Sequence, residues 1–157
     1  MVYDDVARRF LLRAKLSSRP ELLVPFGRQL AAAVRASGIA RGVDVLVAVP
    51  SDPWTRLLRG FDPAAGIARA LSREIQVEIA PRRLRRRLRL TGATKSMSAA
   101  ARWRATRHAF VATGSVHGTV LLVDDVLTTG ATASACALAL HDAGATSVRL
   151  AIWARTL

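Results

Sequence analysis

An apolar tetrad, Val120-Leu121-Leu122-Val123, runs into two carboxylates, Asp124 and Asp125, and then into Val126-Leu127-Thr128-Thr129-Gly130-Ala131-Thr132. Side chains alternate along a strand, so the two acids cannot both point into a core, and the strand's end exposes them. Ionised carboxylates only accept hydrogen bonds, which suits adjacent hydroxyls such as those of a pentose diol. Downstream, the amides of Thr128 to Thr132 open a helix, where unpaired N–H groups and the helix dipole favour an anion. Gly130 lets the backbone approach that anion closely, and the hydroxyls of Thr128, Thr129 and Thr132 add donors. Acids that hold a sugar beside a cradle for its phosphate describe a ribose 5-phosphate pocket.

Such a pocket needs a sheet edge and helices behind it. Asp4 to Leu16 spaces Val6, Ala7, Phe10, Leu11 and Ala14 helically, and Pro20 to Ala36 repeats the pattern with Leu22, Leu23, Phe26, Leu30 and Val34, with Pro25 as a point where the run breaks or kinks. Residues 1–37 are thus expected to form two N-terminal helices. Val43 to Val49 is rich in β-branched residues and predicts a mostly buried strand, followed by a polar loop from Ser51 to Gly60. Asp62-Pro63 reads as a capped helix start continuing to Arg73, with Asp62 as cap, and Ile75 to Ile79 alternates like a strand. Beyond the arginine-rich stretch, His108 to Val111 predicts a brief strand, Val120 to Val123 the most strongly buried one, Ala131 to Ala143 a helix, and Val148 to Trp153 the last strand. Alternating strands and helices predict an α/β fold, a largely parallel sheet flanked by helices, with ligands at the carboxyl ends of the strands. That geometry brings Pro50 to Gly60 and Asp124 to Thr132 to one edge.

With 157 residues, 51% of them hydrophobic, the chain suits a single domain with a sizeable core. No apolar stretch approaches the ~18 residues of a membrane span, and acids rather than bases follow Met1, so a cytoplasmic chain is expected. The single cysteine, Cys136, excludes an internal disulfide and any zinc site of several thiolates, and reads as a small buried hydrophobe. The net charge of +13 is concentrated: between Glu78 and Asp124 there is no acid, while Arg82, Arg83, Arg85, Arg86, Arg87, Arg89, Lys95, Arg102, Arg104 and Arg107 are all basic. Residues 81–107 can be a solvated face, a hood over a polyphosphate, or a surface for nucleic acid. Trp54 and Trp103 read as packing residues that could alternatively stack on unpaired bases.

The segment from Val120 to Thr132 resembles the phosphoribosyl pyrophosphate (PRPP) signature of type I phosphoribosyltransferases. More narrowly the chain resembles the ComF family, competence-associated proteins of that type, through Arg59-Gly60-Phe61, Thr91 to Met97-Ser98, Arg102, Ala109-Phe110, Tyr3 and Lys15. It departs from that family at Asp62-Pro63, where Asn-Gln is usual, at Thr94 for Gln and Ala105 for Asn, and in lacking an N-terminal cysteine-rich zinc element. The resemblance implies a type I phosphoribosyltransferase-like fold in which Asp124 and Asp125 are the catalytic pair that holds the ribose hydroxyls and Thr128, Thr129, Gly130, Ala131 and Thr132 hold the 5-phosphate, with Val126 and Leu127 part of the same binding segment. Ser51, Arg56 and Arg59 would face pyrophosphate, and Mg²⁺ would be held mainly through ligand and water, without direct protein ligands. PRPP or a related phosphoribosyl nucleotide would be the partner. Three activities stay open: pentosyl transfer to an acceptor no residue identifies, a single-stranded-DNA module using Arg82 to Arg102 alongside DNA-uptake proteins, and a nucleotide sensor without turnover.

Overall fold

The computed structural model describes residues 4–17, 19–87 and 109–156. Its centre is a three-stranded parallel sheet in the order β1 (Val45–Ala48), β4 (Thr119–Leu127) and β5 (Ser147–Arg155). In register, Val45 to Ala48 face Val120 to Val123, and Thr119 to Asp124 face Ser147 to Ile152. A central parallel strand is covered on both faces, which explains why Val120 to Val123 is uninterruptedly apolar. Leu121 and Val123 pack on one side with Leu46, Ala151 and Trp153, while Val120 and Leu122 pack on the other with Val47 and Cys136.

The first face is covered by α1 (Asp5–Leu16), α2 (Val24–Ser37) and α4 (Pro63–Ile75), through Leu11, Leu30, Ile67 and Leu71. Asp4 caps α1, its carboxylate accepting from the Ala7 N–H at 2.8 Å. The second run is broken beside Pro25, one of the two outcomes expected there: a 3₁₀ turn at Pro20–Leu23 precedes α2 and places the proline in its first turn, where a missing N–H costs nothing. Close approach of α2 to α4 depends on Gly27, where a Cβ would meet Ala70 and come within 2.7 Å of the Ile67 carbonyl. Trp153 closes this core edge-on against Phe26, 4.5 Å between ring centroids, and donates its indole N–H to Gln29 Oε1 at 2.8 Å.

The other face carries α5 (Ala131–Asp142) and an antiparallel ribbon of β2 (Leu84–Arg86) and β3 (Phe110–Ala112). Cys136 lies fully buried there, as its surroundings of alanine predict. Two expectations need correction. The predicted strand from Ile75 to Ile79 is mostly absent: α4 continues to Ile75, Gln76 ends it in the left-handed region at φ 56°, and only Ile79 joins the sheet, in a lone parallel bridge to Leu46. The predicted loop from Ser51 to Gly60 contains a helix, α3 (Pro53–Arg59), with Asp52 as cap and Gly60 terminating it at φ 75°. Among the described residues no helix is long and apolar enough to cross a membrane.

Candidate functional site

At the carboxyl edge of β1 and β4 lies a pocket of about 230 Å³. Its lining combines distant parts of the chain: Lys15 from α1; Val49, Pro50, Ser51 and Asp52 after β1; Thr55 and Arg59 from α3; Ala64 from α4; and Asp124, Asp125, Val126 and Thr132. The expected edge therefore forms, with Lys15, Val49 and Ala64 as additions from outside the two expected segments.

β4 does not stop before its acids but continues through them to Leu127, so the pair keeps strand alternation. Asp125 points to the face of α1 and meets Lys15, Nζ to Oδ2 at 2.7 Å, with both side chains under one-fifth exposed. Asp124 accepts the Asp125 backbone N–H at 2.8 Å. Burial, then repulsion from Asp125, pushes the Asp124 carboxyl up from 3.8 to about 7; its bond to the Asp125 N–H and the Lys15 charge pull against that rise, and Asp62 adds to it. Near neutral pH Asp124 therefore exchanges a proton, a property that two adjacent acids in a sequence do not disclose. Its charge also reaches Cys136, whose thiol is held well above its usual range chiefly by burial.

Beyond Leu127 the chain leaves the sheet, and Thr156 returns to hold it, donating its backbone N–H to the Leu127 carbonyl at 3.0 Å. Thr128 and Thr129 are exposed, and Gly130 turns into α5 at φ 78°, a conformation that favours glycine. No side chain caps α5; Thr129 Oγ1 reaches the Ala131 N–H only at 3.4 Å. Of the loop and the first turn of α5, Thr132 lines the pocket together with Asp124, Asp125 and Val126, whereas Leu127 to Ala131 lie beside it.

The segment after β1 holds the second surprise. Asp62 occupies the backbone position of an N-cap on α4 but makes no capping bond, which corrects the role expected of it. Its carboxylate instead accepts from the Ser51 N–H at 2.8 Å and the Ser51 hydroxyl at 3.1 Å.

On α3, Asp52 accepts from the N–H groups of Trp54 and Thr55 at 3.1 and 3.4 Å. Thr55 and Arg59 turn to the pocket; Arg56 is exposed and does not line it. Trp54, Leu57 and Leu58 are 69–86% exposed, so Trp54 is not the packing residue expected.

The basic candidates lie elsewhere. Arg82, Arg85, Arg86 and Arg87 are exposed on or beside β2, and none lines the pocket. Arg83 is structural, donating to the Thr113 carbonyl at 2.9 Å, and the Arg86 guanidinium stands 5.7 Å from the centre of the Phe110 ring. Arg89, Lys95 and Arg102, together with the rest of residues 91–97, lie outside the described residues. Among the described residues no group of three or more His, Cys, Asp or Glu is placed to hold a metal ion. Compared with known proteins, the chain matches no family model and no curated protein.

Proposed function

We propose that this chain is a phosphoribosyltransferase-like protein of the ComF kind, whose pocket binds PRPP or a related phosphoribosyl nucleotide. The observation that carries this reading is the convergence, in one small pocket, of Asp124 and Asp125 with Thr132 at the uncapped start of α5. Carboxylates accept from the two ribose hydroxyls, and first-turn amides receive the 5-phosphate. Lys15 neutralises Asp125, so the sugar meets one paired acid and one that exchanges its proton near pH 7. For transfer chemistry the pocket's task is positioning and charge stabilisation around an anomeric carbon that becomes cationic, a state that ionised Asp124 and Asp125 favour.

Magnesium fits this site only as an ion kept largely by ligand and water. Asp52 and Asp124, which line the pocket, would accept from its water shell, and when bound it would supply neutralisation of phosphate charge.

Thermal denaturation with ribose 5-phosphate, nucleoside monophosphates and PRPP, each with Mg²⁺, tests the reading. Ligand at ~100 times its Kd stabilises by about 2.7 kcal/mol, a rise of roughly 5–10 °C for a chain of this size. The Asp124→Asn/Asp125→Asn double variant should show no rise. No rise in the wild type with any of these ligands rejects the proposal.

One observation favours a second activity, single-stranded-DNA binding: Arg85, Arg86 and Arg87 are consecutive and exposed on a ribbon with no acid in its sequence neighbourhood. Affinity for a single-stranded oligonucleotide should then fall steeply with salt, and replacing the three by glutamine should flatten that slope by about 2. A slope unchanged in the variant removes this activity.

A further inference from the structure

The carboxylate of Asp62 takes up both the N–H and the hydroxyl of Ser51, at 2.8 and 3.1 Å. Ser51 lines the pocket in the segment after β1, and these two donors are what a second anionic group of a ligand would use there. The protein has thus placed an anion of its own on them. Surrounding charge acts the same way. Asp52 lines the adjoining wall, Lys15 is committed to Asp125, and Arg59 is the lining cation that forms no ion pair among the described residues. A pyrophosphate carrying several negative charges would have to displace Asp62 and then stand beside it and Asp52. Among the described residues, one remaining cation offsets little of that repulsion.

Resting on the phosphoribosyl reading above, we infer that Asp62 is a specificity-determining residue that excludes pyrophosphate from the anomeric end of the site. The ligand class is then a 5-phosphorylated pentose whose C1 substituent is uncharged, ribose 5-phosphate or a nucleoside 5′-monophosphate, in preference to PRPP. A protein so built recognises the phosphopentose and does not require a pyrophosphate leaving group.

Calorimetry on the full chain decides this, using ribose 5-phosphate, adenosine 5′-monophosphate, PRPP and pyrophosphate, with and without Mg²⁺. The wild type should bind one of the two monophosphates at least about tenfold tighter than PRPP, and pyrophosphate should not compete. Asp62→Asn keeps the shape and an amide oxygen for the Ser51 N–H while removing the charge. It should gain about tenfold in PRPP affinity and leave ribose 5-phosphate within about twofold. If that variant does not fold, as judged by its melting without ligand, the wild-type ranking decides alone. Wild-type preference for PRPP under either metal condition overturns the inference, and so does an equal gain for both ligands in Asp62→Asn. In those two cases the phosphoribosyl reading stands. If none of the phosphopentoses binds the wild type, that reading fails and this inference with it.

Discussion

Replacing Asp124 by asparagine should make the protein more stable, and by an amount that depends on pH. In the folded chain the carboxyl titrates near 7 rather than 3.8, first because it is buried and then because Asp125 lies beside it. Between these values the folded chain holds a proton that the unfolded chain releases, so stability falls as pH rises through the window. At ~1.4 kcal/mol per pH unit, the rise from 3.8 to about 7 corresponds to about 2–4 kcal/mol lost by pH 8, the lower figure allowing for water that reaches the pocket. Asparagine carries no charge, and its amide oxygen can still accept the Asp125 N–H that Asp124 accepts at 2.8 Å. The variant should therefore match the wild type near pH 4 and exceed its melting temperature on the order of 10 °C at pH 8. Denaturation of both proteins across pH 4–8 is the assay, with carboxyl carbon NMR to locate the wild-type midpoint. Parallel stability profiles, or a midpoint near 4, would refute the reasoning, because either would mean that the folded pocket does not penalise the Asp124 charge.

Binding should carry the opposite pH dependence, since the ribose hydroxyls need an ionised acceptor. Affinity for ribose 5-phosphate should rise about tenfold from pH 6 to pH 8 in the wild type and lose that slope in Asp124→Asn, measured by calorimetry. Lys15→Met should cost about 2 kcal/mol in urea denaturation by stranding Asp125, and Lys15→Met/Asp125→Asn should recover part of it; the single variant should also move the Asp124 midpoint further up, because Lys15 now holds it down. Gly27→Ala should cost about 1–3 kcal/mol of stability, seen as a lower urea midpoint at unchanged slope, as α2 is pushed off the Ile67 carbonyl of α4. Equal stability in that variant would mean that the two helices are free to separate.

The sequence by itself determined those parts of the protein that depend on neighbours along the chain. Asp4 before an apolar-periodic run is enough for α1, and the four apolar residues before Asp124 are enough for a strand covered on both faces. The Thr-Thr-Gly loop likewise foretold a turn into an uncapped helix. Signals for α3 were also local, in Asp52-Pro53, the spacing of Trp54, Leu57 and Leu58, and Gly60, but its apolar side faces solvent and so does not look like a core helix. Ile75 to Ile79 misled for the converse reason, as α4 extends through Ile75 and a single bridge suffices to seat Ile79 beside Leu46.

Only the tertiary structure decided which acid is paired and which is not. Lys15 and Asp125 are brought together by the packing of α1, and Asp62 is turned from its helix onto Ser51. Alternation along β4 sends Asp125 toward that cation and leaves Asp124 on the side of Cys136. The physical reason is that burial and charge pairing depend on separations through space in a medium of low polarisability. A residue's identity states what charge it can carry, and the fold sets what carrying it costs.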